Sequence, residues 1–146
     1  MTRIISGKFR GKHIIGPRNL PVRPTTDFAK ESLFNILNNQ YYFDDIKVLD
    51  LFAGTGNIGY EFASRGCEDI TAVDKDPQCI RFMEKMADQM DLAGFRIVRG
   101  DALDYINRDF HEYDLIIADP PYDFENYDRL VEIVWLKNLL KADGQL

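Results

Sequence analysis

The sequence predicts an α/β fold: a mostly parallel sheet with helices on both faces, preceded by a basic β-hairpin. Three observations predict it. From residue 47 onward, short apolar runs alternate with stretches of helical periodicity, the pattern of repeated β–α units. A Gly54-Thr55-Gly56 turn joins the first of these runs to the first of those helices. Ahead of them, β-prone Arg3-Ile4-Ile5 and His13-Ile14-Ile15 flank a basic turn bracketed by Gly7 and Gly11.

The elements follow in order. Residues 3–15 read as the hairpin, and Pro17, Pro21 and Pro24 mark a loop after it. Asp27 is placed to cap a helix of about 12 residues, with Ala29, Leu33, Ile36 and Leu37 as its apolar face. Residues 47–51 form the first sheet strand, and a helix over 57–65 ends at Gly66. Residues 69–73 form the second strand. Asp76 then caps and Pro77 opens a helix that buries Ile80, Met83, Ala87 and Met90. The third strand covers 95–98, a short helix 103–107, the fourth strand 115–118 and a last helix 127–140. Residues 143–146 read as a turn into a fifth strand that is cut short, so the C-terminal strands are expected to be missing. There is no internal repeat and no low-complexity segment.

A chain of 146 residues suits one domain, and its 45% hydrophobic content supports a packed core instead of disorder. No apolar run approaches the roughly 20 residues of a membrane span, and the first residues lack a signal-peptide stretch. Cys67 and Cys79 have no metal-ligand spacing and suit a reduced, cytoplasmic protein. His13 and His111 stand apart, so no metal site is expected. Net charge is −6, yet residues 1–30 hold Arg3, Lys8, Arg10, Lys12, Arg18, Arg23 and Lys30 against Asp27 alone. That stretch carries +6 and the remainder −12. A basic arm on an acidic body points to phosphate contact, though a solvated surface segment has the same composition.

Four segments carry chemistry. Asp50-Leu51-Phe52-Ala53-Gly54-Thr55-Gly56-Asn57-Ile58-Gly59 sets GxGxxG between a strand and a helix, where Gly54 and Gly56 let the backbone approach a ligand. Dinucleotide sites share this pattern. Asp50 discriminates, because a carboxylate there repels a pyrophosphate and suits the ammonium of a methionine moiety. Asp74, at the end of the second strand, can accept both hydroxyls of an adenosine ribose. In Gly100-Asp101-Ala102, Asp101 can accept from an adenine amino group and the Ala102 N–H can reach a ring nitrogen; a plain helix-capping role for Asp101 competes. Asp119-Pro120-Pro121-Tyr122 follows the fourth strand and decides the reading. The Asp119 carboxylate and the Pro120 carbonyl can accept from one NH₂ group, aiming its lone pair at a methyl donor and stabilising positive charge on nitrogen. The two prolines stiffen the loop, and Tyr122 offers a face for a flipped-out base.

Asp-Pro-Pro-Tyr at 119–122 with Leu51-Phe52-Ala53-Gly54-Thr55-Gly56 resembles the amino-methyltransferases of DNA and RNA. The strings Arg3-Ile4-Ile5-Ser6-Gly7-Lys8-Phe9-Arg10-Gly11, Arg23-Pro24-Thr25-Thr26-Asp27 and Glu31-Ser32-Leu33-Phe34-Asn35 are similar to the bacterial 16S ribosomal RNA guanine-N2 methyltransferases of the RsmD type. The resemblance spans nearly the whole chain. It implies a class I methyltransferase (Rossmann-like) three-layer sandwich and methyl transfer from S-adenosylmethionine, giving S-adenosylhomocysteine, to N2 of a guanosine in 16S rRNA. It further implies that residues 1–24 are a hairpin extension that grips RNA through Lys8, Arg10, Lys12 and Arg23, and that residues 25–146 are the methyltransferase domain. By the same resemblance, Gly54 and Gly56 line the cofactor, Asp74 takes the ribose, Asp101 the adenine, and Asp119, Pro120 and Tyr122 form the base pocket. The partner is 16S rRNA or the small ribosomal particle, and the chain is expected to act as a monomer. Phe28 stands where the family commonly has arginine, and Asp74 where it commonly has glutamate.

Three other readings compete. A DNA adenine-N6 or cytosine-N4 methyltransferase would use the same pocket. A nicotinamide-dependent oxidoreductase would use the glycine loop. An RNA-binding module without chemistry would need only the hairpin.

Overall fold

The computed structural model describes residues 2–17, 26–120 and 124–145, the last four without their side chains. Strands β1 (Thr2–Arg3) and β2 (His13–Ile14) pair antiparallel as the expected hairpin, with Thr2 opposite Ile14. Then come α1 (Asp27–Asn38), a 3-10 turn (Phe43–Asp45), β3 (Lys47–Asp50), α2 (Asn57–Ser64), β4 (Asp69–Asp74) and α3 (Pro77–Gln89). After these follow β5 (Phe95–Arg99), α4 (Ala102–Arg108), β6 (Tyr113–Ile117), α5 (Tyr127–Leu136) and β7 (Leu140–Gln145).

The sheet is ordered β5-β4-β3-β6-β7 and every neighbouring pair is parallel. The chain therefore winds outward from β3 to β5, returns to the other side of β3, and winds outward again. Side chains alternate across the strands, and the core divides accordingly. Val48, Ala72 and Leu115 face Phe34, Phe62 and Met83, so α1, α2 and α3 cover one side. Leu49, Val73 and Ile116 face Ala102, Ile106, Leu130 and Ile133, so α4 and α5 cover the other. Ile4 and Ile14 of the hairpin enter the first of these cores.

Four expectations need correction. The cap of α1 is Thr26, whose hydroxyl accepts the Ala29 N–H, while Asp27 is the first helical residue and pairs with Arg3. The buried face of α1 is Lys30, Phe34 and Leu37; Ala29 is exposed and Ile36 is 59% exposed. The basic arm is thereby reduced, since Lys30 lies in the core. The last helix stops at Leu136, because Asn138 turns left-handed at φ 53° and the chain enters β7. Residues 143–145 are not a turn ahead of the fifth strand: Leu140–Gln145 already forms it beside β6, with Tyr113 opposite Leu140 and a register shift before Leu115 meets Gln145.

Candidate functional site

In an open parallel sheet, ligands sit outside the carboxyl ends of the strands where the winding direction reverses. Here that point lies between β3 and β6. Asp50 ends β3 opposite Ile117 of β6 and Ala72 of β4. Asp119 follows β6 by two residues, Asp74 ends β4, and Asp101 follows β5 by two. The four carboxylates that the sequence picked out thus come to one edge.

The glycine loop is built on this edge. The Ala53 N–H donates to the Val73 carbonyl at 3.0 Å, and the Gly56 N–H to the Ala53 carbonyl at 2.9 Å. Gly54 (φ 59°) and Gly56 (φ 87°) both take left-handed backbone, which favours glycine. A Cβ on Gly56 would meet the Tyr60 ring at 2.6 Å, so the residue is fixed from beneath as well. Asp74 holds the loop from the side: its Oδ2 accepts the Gly54 N–H at 2.8 Å and its Oδ1 the Asp76 N–H at 2.9 Å. Each oxygen keeps a second lone pair for a ligand hydroxyl.

Asp50 is almost wholly buried. Burial raises its carboxyl from 3.8 to about 7, and the charges of Asp74 and Asp119 add to this; the Phe52 backbone N–H donates to it and opposes them. Three mutually repelling acids around a glycine loop make an acidic mouth. It rejects a pyrophosphate and attracts a cation.

Asp101 caps α4, accepting the Asp104 N–H at 3.2 Å, and is exposed. Its capping oxygen is Oδ2, which leaves Oδ1 for a ligand. Ala102 is the buried first residue of α4, so its N–H is among those with no partner inside the helix. Asp119 is exposed and Pro120 half-buried; Tyr122 and Arg23 lie outside the described residues. Lys8, Arg10 and Lys12 are all exposed on the turn of the hairpin.

Two features escaped the sequence reading. The first is an aromatic run beside the Asp119 loop. Phe52 packs edge-on against Phe124 (5.1 Å between ring centres), and Phe124 against Tyr127 (5.7 Å). The run of aromatics after residue 121 was the available signal. The second is the docking of the hairpin on α2. The Ile5 and Ser6 N–H groups donate to the two oxygens of buried Glu61 at 2.8 and 3.1 Å. Ser64 receives the Phe9 N–H on its hydroxyl at 2.9 Å and the Lys8 N–H on its carbonyl at 2.7 Å. Its hydroxyl donates in turn to the Ser6 carbonyl at 2.6 Å. No periodicity in the sequence marks Glu61 or Ser64 for this work. Among the described residues no cluster of His, Cys, Asp and Glu could hold a metal ion.

A family model described as "Conserved hypothetical protein 95" matches residues 2–146. Ribosomal RNA small subunit methyltransferase D of Buchnera aphidicola subsp. Baizongia pistaciae is 30% identical over 142 residues, covering 93% of this chain and 71% of the relative. A solved hypothetical protein of Thermus thermophilus superposes with a TM-score of 0.85 at 27% identity, covering 99% of this chain and 82% of the other. The SAH-bound methyltransferase PaMTH1 of Podospora anserina, 18% identical, shares the fold with a TM-score of 0.68 over 83% of this chain and 51% of its own.

Proposed function

This chain belongs to the family described as conserved hypothetical protein 95, the family of the ribosomal RNA small subunit methyltransferases D, and from that premise we propose that it methylates N2 of a guanosine in 16S rRNA. The observation that carries the reading is the meeting of Asp50, Asp74 and Asp119 around the glycine loop at the reversal point of the sheet. Such a mouth suits a ligand with a sulfonium and an ammonium. It disfavours nicotinamide dinucleotides, whose pyrophosphate would face the buried Asp50.

When bound, S-adenosylmethionine supplies an electrophilic methyl group. Asp50 would face its ammonium, Asp74 its ribose hydroxyls, and Asp101 with the Ala102 N–H its adenine. The Gly54 and Gly56 backbone leaves room for it. The remaining work falls to the loop after β6. Asp119 and the Pro120 carbonyl accept from the guanine amino group, hold it in place and turn its lone pair toward the methyl donor. They also offset the positive charge that grows on nitrogen. Tyr122 stacks on the displaced base, and the Phe52–Phe124–Tyr127 run supports the loop from the side. Lys8, Arg10, Lys12 and Arg23 of residues 1–24 contact phosphates, while residues 25–146 carry the transfer site. The chain acts as a monomer in the cytoplasm on 16S rRNA or the small ribosomal particle.

The test is tritiated methyl transfer to unmethylated small ribosomal subunits and, in parallel, to duplex DNA, with the product nucleoside identified by mass spectrometry. N2-methylguanosine is expected. Methyl-adenine or methyl-cytosine in the DNA would overturn the choice of substrate in favour of a DNA amino-methyltransferase. Asp119→Ala should lower transfer at least about 100-fold while leaving S-adenosylhomocysteine affinity within about twofold. An equal loss of cofactor affinity would remove Asp119 from the base pocket.

A further inference from the structure

One buried ammonium touches both the hairpin and the helix that leaves the glycine loop. Lys30 Nζ, on α1, donates to the Arg3 carbonyl of β1 at 2.6 Å and to Asn57 Oδ1 at 2.8 Å. It pairs with Glu61 Oε1 at 3.3 Å, and both side chains are fully buried. Asn57 is the first residue of α2, directly after Gly56. Glu61 is the residue that accepts the Ile5 and Ser6 N–H groups of the hairpin, and Arg65 Nε lies 2.8 Å from its other oxygen.

Burying such a cluster costs several kcal/mol per ion, and apolar side chains of equal volume often do as well for stability. What apolar side chains cannot do is fix register between two surfaces. Here the cluster fixes a basic hairpin against the start of a ligand loop. Resting on the function proposed above, we infer that Lys30 is a positioning residue that couples the two sites, so that RNA held on the hairpin and cofactor held at the loop strengthen each other's binding. The two-state element is the docking of the hairpin. RNA on Lys8, Arg10 and Lys12 favours the docked state. Docking holds the Arg3 carbonyl and Glu61 around Lys30, and Lys30 then holds Asn57 at the end of the loop. Linkage makes the effect reciprocal.

The substitution that removes the acceptor of this bridge is Asn57→Ala. Asn57→Asp keeps the acceptor, and its charge offsets the surplus positive charge of Lys30 and Arg65 over Glu61. The measurement is equilibrium dialysis of tritiated S-adenosylhomocysteine against the chain, with and without saturating unmethylated small ribosomal subunits. Wild type and Asn57→Asp should bind the nucleoside about fivefold or more tighter with subunits present, and Asn57→Ala no more than about twofold tighter. The separate affinities of Asn57→Ala for nucleoside and for subunits should stay within about twofold of wild type. If Asn57→Ala loses its fold by circular dichroism, Asn57→Ser, whose hydroxyl ends short of Lys30, replaces it. Full tightening in the bridge-cutting variant, or none in wild type, overturns the inference. Failure of wild type to bind either partner alone overturns the functional reading beneath it, so the two failures are distinct.

Discussion

Asp50→Asn should make the ligand-free fold more stable and the site weaker, and the sign follows from the carboxyl group itself. Burial chiefly, then the charges of Asp74 and Asp119, raises Asp50 in the folded chain from 3.8 to about 7. A separation of about three pH units is worth about 4 kcal/mol. Because the folded value is the higher one, the protonated group stabilises the fold fully below about pH 4. That contribution is lost as pH rises, by about 1.4 kcal/mol per pH unit, until about pH 7, and is flat above. Asparagine keeps an oxygen for the Phe52 N–H and has no charge to bury. The variant should therefore gain on wild type steadily across this window, by up to about 4 kcal/mol at pH 8. Urea denaturation of both chains at half-unit steps from pH 4.5 to 8 measures the difference, with titrations common to both cancelling. Ligand affinity should run the other way: wild type should bind S-adenosylhomocysteine about tenfold tighter at pH 8 than at pH 6, as Asp50 ionises. Asp50→Asn should bind weakly at both. A stability difference constant to within about 0.5 kcal/mol over the whole range would refute the argument, because Asp50 would then ionise as freely in the folded chain as in the unfolded one.

Two further outcomes test the frame around the site. Gly7 has φ 91°, and a Cβ there would lie 2.0 Å from the Ser64 carbonyl oxygen. Gly7→Ala should cost about 3 kcal/mol or more in chemical denaturation, from left-handed strain and the loss of hydrogen bonds to Ser64; a loss under about 1 kcal/mol would mean that the hairpin is not clamped there. Tyr60 is fully buried, and its hydroxyl has no hydrogen-bond partner among the described residues. Tyr60→Phe should thus leave stability unchanged or raise it by about 1 kcal/mol, and a fall of more than about 1 kcal/mol in the same assay would reveal a partner for that hydroxyl.

The sheet and the loops at its edge were legible because local signals carry them. The glycine turn, the Asp76–Pro77 opening of α3, and the apolar runs that become β3 to β6 each show within a few residues. The errors arose where distant partners decide. Periodicity put Ala29 and Ile36 inside α1, whereas Lys30 occupies the core because Glu61, Asn57 and the Arg3 carbonyl satisfy it from other elements. A lysine satisfied in that way reads as a surface charge in any helical wheel. At the end of α5, Leu139 and Leu140 look equally at home in a buried helix or a strand. Asn138 was the stop signal, and it is weaker than a glycine. The candidate carboxylates meet because a parallel sheet delivers every strand end to one edge, so motifs after consecutive strands come together without any long-range information. The docking of the hairpin had no such rule behind it.

Helix α2 also constrains how this sequence can change in length. Its first residue stands at the glycine loop, while Glu61, Ser64 and Arg65 at its far end engage the hairpin and its buried cluster. Eight residues make a rod of about 12 Å. One residue inserted at its middle would turn the far end by about 100° and push it on by about 1.5 Å. The glycine loop would survive such an insertion intact, yet Glu61 and Ser64 would swing away from the amides they now hold. The helix acts as a ruler between two surfaces. A single insertion or deletion within it is therefore not tolerable.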